Sequence, residues 1–177
     1  LLAEVSQLGS GTRALGIYEQ RWADAPVGPL CVYLHGVRDP GNVGTVLRAA
    51  QAFGAASVAL GPGCADPYGP KAVRASMGAI FHVPVARASG DPAALPGTTI
   101  ALDAHAEAPL RGPVAQPATL LVGAERTGLP ATLLAACDAV ARIPIQSESL
   151  NAAMAATVAL YEATRAPAAA APAAGAG

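Results

Sequence analysis

Three short stretches of this chain carry residue types that could do chemistry, and each begins where an apolar run ends. In DPGNVGTVLRAA, residues 39 to 50, Asn42 and Arg48 stand out from a helix pattern that is otherwise small and apolar. An arginine there can hold a phosphate or stabilise a growing negative charge, because its guanidinium stays charged and offers paired donors in one plane. A surface ion pair with Asp39 is the alternative. In LLVGAERTGLP, 120 to 130, Glu125 stands between glycines that let a ligand approach the backbone. The plainer reading is a turn that leaves Glu125 near the next helix's N-terminus. In RIPIQSESLN, 142 to 151, Ile143 and Ile145 supply apolar surface and free carbonyls, and Ser149 and Asn151 put short polar groups at a helix start. Ser149 reads as that helix's N-cap.

The elements that must position these groups follow from periodicity. Leu30 to Leu34 is a continuous apolar run of strand length, and Val43, Val46, Leu47 and Ala50 then recur at helical spacing, with Asn42 as the expected cap. Gly44 lies one turn before Arg48, and its missing side chain is expected to leave room for a ligand there. Further strands are expected at Ser57 to Leu60, His82 to Arg87, Thr99 to Asp103, Thr119 to Val122 and Ala139 to Ile143. Helices are expected over Lys71 to Phe81 with a break near Gly78, over Pro130 to Cys137, and from Ser149 onwards. Strands alternating with helices indicate an α/β fold, a mostly parallel sheet covered by helices on both faces. Ligands of open α/β sheets sit outside the carboxyl ends of strands, so the three stretches should meet at one site.

Composition bounds the rest. With 177 residues, 53% of them apolar and 13% charged, the chain can bury one sizeable core. A formal net charge of -1 provides no general basic field, so any nucleic-acid binding must be local. Cys31, Cys64 and Cys137 form no CxxC pair, which indicates neither a disulfide framework nor a zinc site and fits a reducing cytoplasm. His82 and His105 lack companion ligands, so no metal is assigned. No apolar run reaches the roughly 18 residues of a membrane-spanning helix, and no signal peptide is visible. Residues 1–28 read as the end of a preceding segment, with a strand-like run RALGIYEQ and an APVGP linker; the start at Leu1 fits either a processed chain or a fragment of a longer protein with another domain before it. Residues 29–165 read as the main domain, and the Ala/Pro tail at 166–177 as disordered.

Taken together, NVGTVLR, VGAERTGL, and RIPI followed by SLN resemble in order and spacing the three motifs of the SpoU/TrmH family of RNA ribose 2′-O-methyltransferases, within the SPOUT superfamily. KAVRASMGAIFHVP, between the first two, also looks like that family, and the resemblance runs from Leu30 to Arg165. It implies a deep C-terminal trefoil knot, and a homodimer packed through the last helix, where Ala152, Ala153, Ala155, Ala156 and Ala159 would allow close approach. It implies S-adenosyl-L-methionine as cofactor, held by the backbone around Val122, Gly123, Ala124, Ile143, Ile145 and Leu150. Arg48, Asn42, Glu125, Ser149 and Asn151 match the polar positions of the reacting centre. Asn42 and Glu125 would hold Arg48 and the ribose, while Arg48 stabilises the alkoxide and a neighbouring phosphate. Arg48, Arg74, Ser76 and Lys71 are the expected RNA contacts, with Arg126 and Arg142 as further candidates.

Two departures stand out. The segment Gln146-Ser147-Glu148 is shorter than the common family form and lacks its usual glycine, and His35 stands where many relatives carry an acid. The segment before residue 29 favours ribosomal over transfer RNA as the substrate. Two other functions compete with methyl transfer: an RNA-binding scaffold of the same fold without turnover, and a NAD or flavin enzyme. The latter is disfavoured because neither a GxGxxG after the first strand nor a P-loop is present.

Overall fold

The computed structural model describes residues 16–147 and 149–165. Two central strands, β2 (Leu30–Leu34) and β6 (Ala118–Val122), are buried at every residue, which is why both read as unbroken apolar runs. They pair in parallel from Leu30 opposite Ala118 to Leu34 opposite Val122. Around them lie β1 (Trp22–Ala23), β3 (Ser57–Leu60), β4 (Val85–Arg87), β5 (Thr98–Leu102) and β7 (Ala139–Ala141), giving an all-parallel sheet in the order β1-β4-β3-β2-β6-β5-β7. Alternate residues of β2 serve opposite faces, so Leu30, Val32 and Leu34 join one core cluster, and Cys31 and Tyr33 the other. Helices α1 (Pro40–Ala52), α2 (Pro70–Ser76) and α4 (Ala152–Thr164) belong to the first side, and α3 (Ala131–Ala136) covers the second. The expected α/β class with helices on both faces is the observed one.

Several local expectations are corrected. Helix α1 starts at Pro40 and is capped by Asp39, whose Oδ1 accepts from the amides of Gly41 (2.6 Å) and Asn42 (3.1 Å). Proline suits the first helical position, so the cap falls one residue before it, and the Asn42 side chain is left for other work. Gly44 does not open a ligand space. A Cβ there would stand 2.2 Å from the Ala72 carbonyl oxygen, so the glycine lets α2 lie against α1. Helix α4 is capped by Asn151 rather than Ser149, its Oδ1 accepting from Ala153 (3.0 Å) and Met154 (3.3 Å). Its alanines at 152, 153, 156 and 159 are buried within the chain, where α4 packs on α1, and do not form an outer surface. Of the run RALGIYEQ, the described part carries no strand, and the sheet's edge is instead Trp22–Ala23, paired with Val85 and Ala86. The rest of that run and the tail from Ala166 lie outside the described residues.

The connection from β5 to β6 crosses over α4. Gly112 N–H donates to the Glu162 carboxylate (2.8 Å) and Val114 N–H to the Ala163 carbonyl (3.0 Å). The same connection is fastened to the end of β7, where Leu110 N–H donates to the Arg142 carbonyl (2.7 Å) and Arg142 N–H to the Ala108 carbonyl (2.8 Å). The Arg142 guanidinium donates to the carbonyls of Ala106 and Glu107, so this arginine, expected as a spare phosphate contact, is committed to the loop.

Candidate functional site

At the carboxyl ends of β5 and β6, and beside the segment that follows β7, the chain encloses a cleft of about 870 Å³. Val122, Gly123, Ala124, Glu125, Ile143, Ile145, Ser149 and Leu150 all line it, which gathers most of two of the three stretches. The turn after β6 is closed on itself: Gly128 N–H donates to the Ala124 carbonyl (2.9 Å), and Gly128 takes a φ of +61°. A Cβ on Gly123 would stand 2.2 Å from the Gly128 carbonyl carbon. That glycine is thus required by the turn's own closure, where the sequence had indicated room for a ligand.

Closure of this turn projects Glu125 towards the start of α1. The Asn42 side-chain amide donates to the Glu125 carboxylate, and the Asn151 side-chain amide donates to the Asn42 carbonyl oxygen (3.1 Å). Since Asn151 Oδ1 caps α4 at the same time, one chain of hydrogen bonds joins all three stretches. Each side-chain amide uses its donor and its acceptor in opposite directions, which fixes their orientation.

The sequence missed a further wall of the cleft, Leu102, Asp103, Ala104 and His105 at the end of β5. Asp103 Oδ1 accepts from the His105 amide (2.7 Å) and shapes this turn. The signal was available: the strand-end rule applies to Thr98–Leu102 as it does to the other strands. Half-buried His35 accepts or donates at Nδ1 with the Tyr33 hydroxyl (2.8 Å), and burial pushes the Tyr33 phenol up to about 12. Tyr33 therefore keeps its proton. Among the described residues no group of three His, Cys, Asp or Glu side chains gathers as a metal site, and no helix is long and apolar enough to cross a membrane.

With this geometry in hand, comparison with known proteins is decisive: the model of the SpoU rRNA Methylase family matches residues 29–161. The chain belongs to that family. Among its relatives is the 23S rRNA (uridine(2479)-2′-O)-methyltransferase of Streptomyces viridochromogenes, 38% identical over 144 residues, 71% of this chain and 49% of the relative. The 23S rRNA (guanosine(2553)-2′-O)-methyltransferase RlmP of Bacillus subtilis is 37% identical over 138 residues, 71% of this chain and 54% of that protein. The chain thus spans about half the length of these curated relatives. The AdoMet-bound rRNA methyltransferase from Sinorhizobium meliloti superposes with a TM-score of 0.82 at 33% identity, covering 92% of this chain and 67% of that one. A structure bearing on the 2-OH methylation of C/U34 on tRNA gives 0.67 at 31% identity, covering 77% of this chain and 94% of that chain.

Within this SpoU-family chain the basic residues divide. Arg48 is exposed and does not line the cleft. Six residues beyond Asn42, it lies about 240° round the helix and about 9 Å along it, so Asn42 holds Glu125 rather than the arginine. Its alternative partner, Asp39, pairs with Lys71 at 2.7 Å, and that bond holds the Asp39 carboxyl below its ordinary range. Arg74 is exposed on α2, and Arg126 is exposed at the cleft's rim. Ser76 is wholly buried and its hydroxyl donates to the Val73 carbonyl (2.8 Å), so this expected RNA contact is a helix-end bond inside the fold.

Proposed function

We propose that this chain is the catalytic domain of an RNA methyltransferase that carries a methyl group from S-adenosyl-L-methionine to a ribose 2′-hydroxyl, with ribosomal RNA as substrate. The observation that carries the reading is the Glu125–Asn42–Asn151 chain, set at the rim of a cleft sized for a nucleoside cofactor. The lining fits that group. Its volume lies within the range of cofactor pockets, Leu102, Val122, Ile143 and Leu150 give an apolar slot for a purine, and strand-end backbone borders it. Asp103 and Glu125 supply carboxylates to a cleft whose occupant would be cationic. When bound, the cofactor supplies an electrophilic methyl on a sulfonium.

The chain's own groups then position and stabilise. Glu125, oriented by Asn42, accepts a hydroxyl donor at the rim, while Asn151 keeps Asn42 in register with the start of α4. Arg48, exposed on α1 outside the cleft, holds a phosphate of the substrate strand. The guanidinium stays protonated, so the ribose proton leaves to water or to an RNA oxygen. Lys71, Arg74 and Arg126 add phosphate contacts, with Lys71 exchanging Asp39 for the RNA. Ser149 shapes the wall that closes over the cofactor.

The reading includes a trefoil knot and a homodimer. Threading is supported by α4, which returns past two strands and lies beneath the β5–β6 connection that bonds Glu162 and Ala163. The dimer is supported by the outer face of α4, where Met154, Val158 and Tyr161 are 59%, 40% and 56% exposed. Three unpaired thiols suit the cytoplasm.

The test is transfer of labelled methyl to ribosomal RNA, read by nucleoside mass spectrometry. We expect one 2′-O-methylated nucleoside, lost with Arg48→Ala. A folded chain that binds the cofactor but labels no ribosomal RNA would instead favour either a non-turning-over scaffold or a transfer RNA enzyme. The match spanning 94% of the chain bearing on tRNA methylation makes transfer RNA the second substrate to try.

A further inference from the structure

The carboxyl edge of the sheet holds a second cleft, of about 360 Å³, over the ends of β3 and β4. One wall is a stack in which the Arg87 guanidinium carbon lies 4.4 Å from the centroid of the Trp22 ring. Another is Asp66, exposed, with Oδ1 accepting from the Tyr68 amide (2.9 Å). Pro62, Ala65 and Ala88 complete an apolar lining. Among the described residues neither Asp66 nor Arg87 has an ion-pair partner, so a carboxylate and a flattened guanidinium face the same small space with hydrogen-bonding capacity unused.

We infer that this second cleft is a guanine-binding site, occupied by a base of the RNA substrate that flanks the methylated ribose. A base can stack against the Arg87 guanidinium or the Trp22 ring, which lie against each other in the cleft wall. A carboxylate accepts well from the paired N1–H and N2–H of guanine's Watson–Crick edge. Adenine lacks the N–H pair, and cytosine offers the carboxylate a single amino group. Placement agrees. In the sheet order, two ladder steps separate β3 from β6 and four separate β4 from β5, so the strand ends that carry the two clefts lie about 10 to 20 Å apart on one edge. A short single-stranded run can lie across both. The identity of the strand rests on the RNA reading above; the site's preference for guanine does not.

Trp22 is the chain's single tryptophan, so its emission reports this cleft directly. The experiment titrates the protein with guanosine 5′-monophosphate, then with the adenosine, cytidine and uridine monophosphates and with inorganic phosphate, correcting for absorbance. We expect saturable change with the guanosine nucleotide and binding about tenfold weaker for the others, the scale of a charge-assisted hydrogen bond. Asp66→Asn should abolish the preference for guanosine, and Arg87→Ala should weaken all four. Absence of a saturable signal, equal affinity for all four nucleotides, or an unchanged preference in Asp66→Asn would overturn the proposal. A parallel calorimetric titration with S-adenosylhomocysteine separates the two readings. Binding of the guanosine nucleotide without binding of S-adenosylhomocysteine leaves this site standing and removes the cofactor assignment; the reverse removes the site alone.

Discussion

The two sides of the main cleft are built differently. The wall after β6, residues 123 to 128, closes on itself through the Gly128–Ala124 bond, packs Gly123 against its own far end, and ties Glu125 to α1. The facing segment from Ile143 to Leu150 is anchored at its two ends, by Arg142 and by the Asn151 cap. Between them, its described residues are bonded to each other only by the Ser147 hydroxyl on the Ser149 carbonyl, at 3.3 Å. The first wall is held in place, which the proposed role of Glu125 in orienting a reacting oxygen requires. The second, among its described residues, carries few internal bonds, and on the reading proposed above the cofactor would supply partners to its backbone.

The largest effect should come from breaking the first wall. Gly123→Val puts side-chain carbons where the Gly128 and Leu129 backbone already stands, and overpacking of that kind costs about 3 kcal/mol or more. Thermal denaturation should show a fall in Tm of several degrees together with loss of cofactor binding. A Tm equal to that of the parent would mean that the turn is not closed as described.

The link between the walls comes next. Asn42→Ala and Glu125→Gln, alone and together, form a cycle whose coupling should be about 1 kcal/mol in the transfer step. Additive losses would show that the two side chains act separately. The strap over α4 responds to acid. Hydrogen bonding from Gly112, and secondarily Arg165, depresses the Glu162 carboxyl from its ordinary 4.5. A carboxyl lowered in the fold stabilises above its unfolded value and loses that contribution as the pH falls through the folded one. Acid unfolding should therefore steepen below about pH 4.5, and Glu162→Gln should flatten that limb, as followed by circular dichroism. The smallest effect belongs to the second wall: Ser147→Ala removes one long, exposed bond and should change stability by less than about 0.5 kcal/mol.

The same contrast explains what could be read from the sequence. Strands such as Leu30–Leu34 and Ala118–Val122 were legible because burial on both faces demands an unbroken apolar run. The three polar stretches were legible because their order matches a family. Glycine was misread twice, at 44 and 123, since a missing Cβ looks alike whether a ligand or the chain's own backbone fills the space. The caps at Asp39 and Asn151 each lay within a few residues of a rival, and Pro40 was the local clue at the first. Ser76 and Arg142 looked available for phosphate because their acceptors, Val73 and the 106–107 carbonyls, are set by helix ending and by tertiary crossing. The Leu102 to His105 wall was within reach of the strand-end rule, but the sheet order that sets β5 beside β6 is not contained in periodicity.

The central claim is that the cleft between these walls holds S-adenosyl-L-methionine, and calorimetric titration of the parent chain beside Leu150→Arg tests it most directly. Leu150 lines the cleft and is only half-buried, so the arginine can block the slot while the fold survives. Saturable binding is expected in the parent and at least about a hundredfold loss in the variant, with Tm nearly unchanged; a change of that size is about 2.7 kcal/mol. Equal binding by both chains, or none by the folded parent, would contradict it.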